Sequence, residues 1–417
     1  MTVEQAPHEA LSDFAIDDAK RDFSTVAHDF RVRMKSGDLG SLPAILAILV
    51  LVVVFGLARP ESFLTALNLA NFLEQAAGII VIAMAVSFVL LLGEIDLAAG
   101  FTAGVAAAVL ATRLEAGWGL IAAVIVSGAV ALALGLWTGV LVAKLGIPSF
   151  VVTLANFLVF QGILLLLVED GGSVRINDPI IRGIVGNNLS PVMSWLLGFV
   201  AVAIYAFVEI YKQKRSDGAT PWSIVIVKVA VAGVLTAALI ALLNRNRAFA
   251  SATGEIRGLP YVVPLVLIIM IGLTFLLNRT RYGRHLMAVG GNAEAARRAG
   301  INVVRVRLSA FTLCGLLAGI GGAFLASRVN SVDPNTGGND TLLLAVGAAV
   351  IGGTSLFGGR GRIMDAVTGG LVVAIIANGL PLVTQKSGVQ FIINGLVLLL
   401  AASVDAISRR RAAATGR

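Results

Sequence analysis

The feature that most constrains this chain is a succession of long apolar stretches separated by short polar segments. A helix needs about 20 apolar residues to cross a bilayer. The stretches lack the period-two alternation of barrel strands, so helices are the spanning structure that satisfies their backbone polar groups in lipid. We therefore predict an all-α polytopic membrane protein with about twelve transmembrane helices. The stretches lie at residues 43–59, 76–92, 97–112, 118–143, 150–168, 191–211, 222–243, 260–278, 307–327, 341–356, 363–380 and 389–406.

The composition excludes whole classes of protein. Of the 417 residues 57% are hydrophobic and 13% are charged, whereas about a quarter of an ordinary soluble domain is charged. A soluble enzyme, a secreted domain and a disordered protein are therefore excluded. The chain has 1 cysteine and 3 histidines, so we expect neither a disulfide framework nor a metal site. We attribute the net charge of +8 to cytoplasmic loops and expect no nucleic-acid partner.

The distribution of basic residues predicts the orientation of the chain. If the N-terminus is cytoplasmic and the spans alternate, the inner segments hold 22 of the 32 lysines and arginines. Cytoplasmic loops carry the excess of Lys and Arg in membrane proteins. We therefore expect both termini in the cytoplasm, with a polar N-terminal tail at 1–40 and a basic C-terminal tail at 409–417. The longer outer loops fall at about 169–190, 244–259 and 328–340.

One inner segment, 279–307, carries the most informative local pattern. Asn292 is a good helix N-cap, Glu294 would lie in the first turn, Arg297 would lie in the last turn, and Gly300 suits the position after the helix end. Alanines 293, 295, 296 and 299 are strong helix formers. We predict a short charged helix over 293–299 outside the bilayer, whose small side chains let it enter a groove on another protein. An ordinary capped loop helix that meets the positive-inside bias is the alternative.

Acidic residues interrupt the apolar pattern between the second and third stretches. Glu94 and Asp96 lie between two apolar runs, and an intramembrane carboxylate is costly unless it faces a cavity, a partner or water. Gly93 and Gly100 permit a broken backbone there, which is tolerated where it lines a cavity or is buried in protein. We predict a hinge and part of a translocation path. Asp96 is also a candidate N-cap of a helix over 97–112, and the two roles are compatible.

Uncharged amides also lie in or near the spans, at Asn71, Gln75, Asn156, Gln161, Asn378 and Asn394. An amide offers a donor and an acceptor, which suits sugar hydroxyls. For each residue taken singly, a hydrogen bond between neighbouring helices is the better explanation. Asn156 and Gln161 are our first candidates for lining a path.

Glycines form two further patterns. The patterns Gly135–Gly139 and Gly315–Gly319 indicate helix packing. The turn containing Gly352, Gly353, Gly358 and Gly359 does not form a P-loop, and we interpret it as a tight packing site and a second contact at the inner face.

Four motifs are spread along the chain. They are Gly93-Glu-Ile-Asp-Leu-Ala-Ala-Gly100, Lys144-Leu-Gly-Ile-Pro-Ser-Phe-Val-Val-Thr-Leu154, Glu294-Ala-Ala-Arg-Arg-Ala-Gly300 and Ile351-Gly-Gly-Thr-Ser-Leu-Phe-Gly-Gly359. Together they resemble the motifs of ABC sugar permeases of the ribose/xylose/galactose class. The third resembles the cytoplasmic loop by which importer permeases dock into an ATPase subunit. The extra hydrophobic pair at 191–243 and Glu94 are most similar to the xylose-type branch.

This resemblance implies a function and a set of partners. Residues 41–408 would form a transmembrane permease domain with ten core helices plus the extra pair, and 279–307 would be its cytoplasmic coupling loop. Asn292, Glu294, Ala295, Ala296, Arg297 and Gly300 would contact the ATPase. The chain would bind no cofactor itself and would not be an enzyme, because the partner ATPase would use ATP and Mg. The other implied partners are an extracytoplasmic sugar-binding protein, met by loops 169–190 and 328–340, and a second permease copy, in the bilayer of a bacterial plasma (inner) membrane. The sugar would be a pentose such as xylose.

Two alternatives belong to other classes. An ion-coupled secondary sugar transporter would need no ATPase, and Glu94 and Asp96 would be its acidic residues at membrane depth. A membrane-embedded enzyme would need a metal-spaced His/Cys set or a nucleophile–base pair, and the sequence offers neither.

Overall fold

The computed structural model describes residues 42–169, 172–215, 221–248 and 254–414. The predicted N-terminal tail at 1–40 and the last three residues of the predicted basic tail lie outside these ranges. Helices dominate the described residues: α1 Leu42–Ala58, α2 Pro60–Phe63, α3 Ala66–Leu90, α4 Ala99–Glu115, α5 Leu120–Ala143, α6 Ser149–Val168, α7 Pro179–Gly186, α8 Pro191–Arg215, α9 Trp222–Leu243, α10 Val262–Arg279, α11 Arg281–Gly291, α12 Ala293–Arg298, α13 Val303–Val329, α14 Asn339–Gly352, α15 Ile363–Val383 and α16 Ser387–Ala414.

Within these ranges, eight helices are long and apolar enough to cross a membrane, namely α3, α5, α6, α8, α9, α10, α13 and α15. The prediction of a polytopic all-α membrane protein is confirmed at this level. Three of the other predicted spans coincide with shorter helices, namely α1 and α4 with 17 residues each and α14 with 14. The fourth falls within α16, which has 28 residues. The count of twelve and the cytoplasmic termini stay predictions. We call the end of the bundle that carries α11 and α12 the inner end, because the basic residues predict that it faces the cytoplasm, and the opposite end the outer end.

The core forms around α3, whose most apolar window is 83% buried. α13 packs against α3, α4 and α5, while α14 and α15 cover another side of α3. Small residues permit the close approach of α5 and α13, since a Cβ added to Gly135 would lie 2.9 Å from the Cα of Gly315. The two glycine patterns therefore mark helix packing, as predicted.

The extra hydrophobic pair is a hairpin of α8 and α9 at the periphery of the bundle. Only 11% of the apolar window of each helix is buried. The two helices pack on each other, and Lys228 Nζ of α9 lies 3.3 Å from Glu209 Oε2 of α8. Glu209 also pairs with Lys212 at 2.9 Å. Lys228, a charge within a predicted span, is thus paired with a carboxylate, as expected for an ionisable group at membrane depth.

The outer loops are joined by short stretches of β-structure. Strand β1, Val174–Arg175, pairs antiparallel with strand β2, Ser331–Val332. The loop before α8 is tied in the same way to the loop before α10 by a single bridge between Asn188 and Pro260. The loop at 169–190 therefore contacts both of the other outer loops.

The predicted start of the helix at residue 97 was wrong. We expected a helix over 97–112 capped by Asp96, but α4 begins at Ala99, and Ala98, the residue at the N-cap position, has an α conformation. Asp96 Oδ1 instead accepts a hydrogen bond from the Ala98 amide at 2.9 Å. The carboxylate therefore closes a turn just before the helix, because an Asp side chain readily accepts from the backbone two residues ahead.

Candidate functional site

The predicted surface helix is present as α12, and its ends are formed by the residues singled out in the sequence. Asn292 is its N-cap, with Oδ1 accepting from the Ala295 amide at 2.9 Å. At the other end Gly300 has φ +83°, a left-handed conformation that glycine adopts without a Cβ penalty. Open space surrounds the missing Cβ of Gly300, so conformation and not packing explains this glycine.

The surface of α12 is charged and accessible. Glu294 pairs with Arg297 at 2.8 Å and with Arg298 at 3.4 Å, and all three side chains are more than half exposed. Ala295 is exposed, whereas Ala296 is 5% exposed and packs against the rest of the protein. Exposed pairs of this kind contribute little to stability. The helix therefore rests on Ala296 and presents a polar face on which its charges are available to a partner.

The preceding helix, α11, brings this surface against the turn after α3. A Cβ at Gly290 would collide with the carbonyl oxygen of Leu91 and would lie 2.8 Å from the amide of Gly359. The Gly359 amide itself donates to the Leu91 oxygen at 2.9 Å. Three segments that are distant in sequence thus meet at the inner end, and the glycine turn is the tight packing site that we predicted.

Glu94 joins this cluster through a residue that sequence reasoning missed. Arg307, in the second turn of α13, places Nη2 3.1 Å from Glu94 Oε1, and the two side chains are 32% and 15% exposed. Because α13 follows α12 after a short connection, the ion pair links the α12 segment to the broken backbone at Gly93, which has φ +75°. We had counted Arg307 only as one of the basic residues of an inner loop, and no local signal pairs it with Glu94.

Asp96 lies deeper than Glu94. Its side chain is 3% exposed, accepts a hydrogen bond from the Ala98 amide at 2.9 Å and lies beside the Cys314 thiol of α13. The carboxylate therefore lies between the start of α4 and the middle of α13, where a buried carboxylate depends on such a donor.

Gly100, the last residue of this motif, lies away from α12. A Cβ there would collide with the carbonyl oxygen of Gly337 and approach Leu342 to 2.9 Å. The first turn of α4 thus packs directly against the turn that precedes α14. The structure places Gly93 against Phe357 of the glycine turn and pairs Glu94 with Arg307 of α13, whereas Gly100 lies against the turn before α14.

The Lys144–Leu154 motif connects α6 to the non-helical segment between α3 and α4, which we call the broken segment. Ser149 Oγ accepts from the Ile95 amide at 3.5 Å, and Thr153 Oγ1 donates to the Ile95 carbonyl oxygen at 3.2 Å. Neither hydroxyl was among our candidate residues. Three of the four motifs therefore meet around the segment between α3 and α4. The α12 motif is connected to this segment through Gly290 of α11 and Arg307 of α13.

Asn156, our first amide candidate, bridges two helices. Its Nδ2 donates to Thr138 Oγ1 at 2.9 Å, and its Oδ1 accepts from Trp137 Nε1 at 3.3 Å, both on α5. Gln161 is half-buried on α6 and has no hydrogen-bond partner in the described part of the chain. The structure does not bring Asn156 and Gln161 into one polar cluster.

Two other amides form a further interhelical contact. The side chain of Asn378 on α15 exchanges hydrogen bonds with Asn68 on α3, with donor–acceptor distances of 2.9 and 3.2 Å. Asn71 on the same helix accepts from Arg328 Nη2 at 3.3 Å.

A bundle of apolar helices with broken backbone inside it and a charged, exposed helix at its inner end defines a class of multi-pass transport protein. The family described as "Branched-chain amino acid transport system / permease component" matches residues 68–402, and the chain belongs to this family. The xylose transport system permease protein XylH of Escherichia coli K12 is 34% identical over 91% of this chain and 94% of its own length. XylH of Haemophilus influenzae is 32% identical over 91% and 99%, and the ribose import permease protein RbsC of Escherichia coli K12 is 30% identical over 87% and 92%. No solved structure matches the chain.

These matches confirm the resemblance that the four motifs predicted. The relatives are sugar permeases, and they align with the present chain over nearly its whole length. Together with the apolar spans, the family defines a multi-pass protein of the bacterial plasma membrane.

Proposed function

We propose that this chain is the transmembrane subunit of an ABC importer for a monosaccharide, and that the monosaccharide is the pentose xylose. The observation that carries the proposal is the 34% identity to a xylose permease over 91% of the chain. Ribose permeases also align, at 30% identity, and ribose is the first competitor to test.

In this proposal α12 is the contact with a separate ATPase subunit, which would use ATP and Mg. Asn292 and Gly300 set the ends of the helix, Ala296 seats it, and Glu294, Ala295 and Arg297 form the docking face. A nucleotide can bias a conformational equilibrium only if the ATPase binds α12 differently in the two states. The exposed charges and the small alanine side chain are suited to such docking, because they meet a groove without steric obstruction.

The broken segment after α3 would be the hinge on which this docking acts. Movement of α12 reaches α13 through a short connection and reaches Glu94 through Arg307, at 3.1 Å. Gly93 would be the flexible end of this segment and Gly100 its closely packed end. Asp96 would hold the middle of the segment against α13. Asn156 and Gln161 would line the path on the α6 side.

The outer end would meet an extracytoplasmic sugar-binding protein. Loops 169–190 and 328–340 are joined by the β1–β2 pair, and Arg182 Nε of the first donates to Asn330 Oδ1 of the second at 3.2 Å. This pairing gives a binding protein one connected surface. A second copy of the permease would complete the membrane part of the importer.

The ion-coupled alternative is not favoured, because the relatives are permease components of transport systems and because Glu94 is already paired with Arg307.

ATP-driven uptake by a purified complex tests the proposal. The permease, its ATPase and its sugar-binding protein would be reconstituted in vesicles and supplied with xylose, ribose and galactose in separate reactions. We expect uptake only when all three components and ATP are present, with xylose preferred. Uptake by the permease alone under a proton or sodium gradient would contradict the importer and support the alternative.

A further inference from the structure

α14 is too short to cross the bilayer. Its 14 residues extend about 21 Å at the helical rise of 1.5 Å per residue, against a hydrocarbon core of about 30 Å. The turn before it reaches inward, because Gly337 and Thr336 contact the first turns of α4 at Gly100 and Gly104. The N-terminus of α14 therefore lies below the outer surface, and a helix broken at membrane depth is tolerated where it is buried in protein or lines a cavity.

A cavity opens beside this buried helix end. It has a volume of about 250 Å³ and lies between α14, α15 and α16. Two of its walls carry polar side chains, Asp340 from the first turn of α14 and Gln390 and Asn394 from α16, and Phe391 contributes an aromatic ring. Apolar residues such as Leu344 and Pro381 form the rest of the lining.

The polar groups of the cavity keep hydrogen-bonding capacity that the protein does not use. Gln390 donates through Nε2 to the Thr384 carbonyl oxygen at 2.8 Å, which leaves its Oε1 as an acceptor. Neither Asp340 nor Asn394 has a side-chain hydrogen bond or an ion pair with another described residue. The cavity thus offers acceptors from a carboxylate and two amides, and one amide donor pair.

This set of groups does not suit lipid or a metal ion. A carboxylate facing acyl chains at membrane depth is costly, and the described residues contain no group of three or more metal-ligating His, Cys, Asp or Glu side chains. A polyol suits it well, because each hydroxyl donates to a carboxylate or an amide oxygen and accepts from an amide N–H. The ring of Phe391, 59% exposed, offers an apolar surface for the C–H face of a sugar.

We propose that Asp340, Gln390 and Asn394, with Phe391, form a binding site for one monosaccharide at the outer part of the translocation path. The inference rests on the proposed function and deepens it, since it assigns sugar contact to residues of the permease itself. A volume of about 250 Å³ is just below the range of about 300 to 1,000 Å³ typical of small-molecule pockets, which favours a single sugar ring over a longer oligosaccharide.

Protection of an introduced thiol tests occupancy directly. The native Cys314 is fully buried in α13, and the exposed Gly395 lines the cavity with open space around its missing Cβ. Gly395→Cys therefore places an accessible thiol in the cavity and leaves the polar groups intact. In nanodiscs we expect xylose to slow maleimide labelling of this thiol at least threefold, and not to slow labelling of an Ala116→Cys control at the exposed outer end of α4. Labelling that is unchanged by xylose, or that is blocked without sugar because a second copy covers the cavity, would overturn the proposal.

Transport by the full complex gives the second test. Asp340→Asn replaces a charge-assisted hydrogen bond with a weaker neutral one, and we expect it to raise the KM for xylose uptake about tenfold. Asn394→Ala should raise the KM less. ATP hydrolysis stimulated by the binding protein should persist in both variants, which separates sugar contact from docking. Glu115→Gln, which neutralises an exposed carboxylate at the outer end of α4, is the matched control with unchanged KM.

The outcomes separate this site from the importer itself. If the wild-type complex shows no ATP-driven uptake, the proposed function fails. If the wild-type complex transports xylose and both cavity variants keep its KM, only the sugar site is overturned.

Discussion

Arg307 and Glu94 form the one ion pair, within the described residues, that joins the start of α13 to the broken segment after α3, with Nη2 and Oε1 3.1 Å apart. Both side chains are at most about a third exposed, and Nε of Arg307 is buried without a hydrogen-bond partner. The guanidinium is therefore only partly satisfied, and it depends on Glu94 for its compensation. Separating the two side chains would leave a half-buried charge without its partner, which is costly. The two segments therefore tend to move together, and the contact can transmit a displacement.

Neutralising Glu94 should uncouple ATP hydrolysis from transport. In Glu94→Gln we expect the number of xylose molecules imported per ATP to fall severalfold. The reason is that movement of α12 and α13 would no longer be transmitted to the proposed hinge after α3. The measurement is paired uptake and ATPase rates in vesicles. Reversal of both charges, Glu94→Arg with Arg307→Glu, should recover part of the loss.

Glu255→Gln is the control for this prediction. Glu255 pairs with Arg257 at 2.8 Å, and the two side chains are 61% and 43% exposed, so its removal should change little. An unchanged transport ratio in Glu94→Gln would show that the pair does not carry coupling.

The N-cap of α12 should control affinity for the ATPase. Asn292→Ala removes the acceptor for the Ala295 amide, 2.9 Å away, and such a change costs about 1 kcal/mol of helix stability. We expect weaker association of the ATPase with the purified permease, by about fivefold, measured by fluorescence titration. Asn292→Asp keeps the acceptor and should bind within twofold of the wild type. Equal affinities for all three proteins would argue against docking on α12.

α12 was predictable from sequence because everything that defines it is local. Its cap, its acidic first turn and the glycine after it lie within one short segment, so no distant residue decides its bounds. α3 shows the opposite case. Its apolar stretch was predicted to start at 76, but the helix begins at Ala66, capped by Thr65, whose Oγ1 accepts from the Asn68 amide at 3.1 Å.

The reason for this miss is tertiary. The first turns of α3 contain polar side chains that end an apolar run in sequence, yet Asn68 finds Asn378 and Asn71 finds Arg328 in the folded protein. The residues of the candidate site show the same contrast. The motifs predicted Gly93, Glu94 and Asp96. Arg307 and Ser149 could not be predicted, because their partners are remote in the chain.

Two adjacent glycines of α11 offer a clean test of the inner packing. A Cβ at Gly290 would collide with the Leu91 carbonyl oxygen, whereas the space at Gly291 is open. Overpacking typically costs about 1 to 3 kcal/mol, while Gly to Ala in a helix without a clash gains about 0.5 to 1 kcal/mol. Gly290→Ala should therefore lower the thermal unfolding midpoint in detergent, and Gly291→Ala should hold or raise it. A lower midpoint in Gly291→Ala alone would contradict the packing described here.

Comparing variants of Asn156 with variants of its hydrogen-bond partner Thr138 decides whether Asn156 serves helix packing or the translocation path. Asn156 Nδ2 donates to Thr138 Oγ1 at 2.9 Å, and hydrogen bonds between membrane helices contribute about 0.6 kcal/mol on average, with a maximum of about 1.7 kcal/mol. Asn156→Ala and Thr138→Val should each lower stability by an amount in this range, and a double-mutant cycle should show that their effects are not additive. If Asn156 also lines the path, Asn156→Ala should raise the KM for xylose several times more than Thr138→Val does. Equal KM values in the two variants, with the same loss of stability, would restrict Asn156 to holding α5 and α6 together.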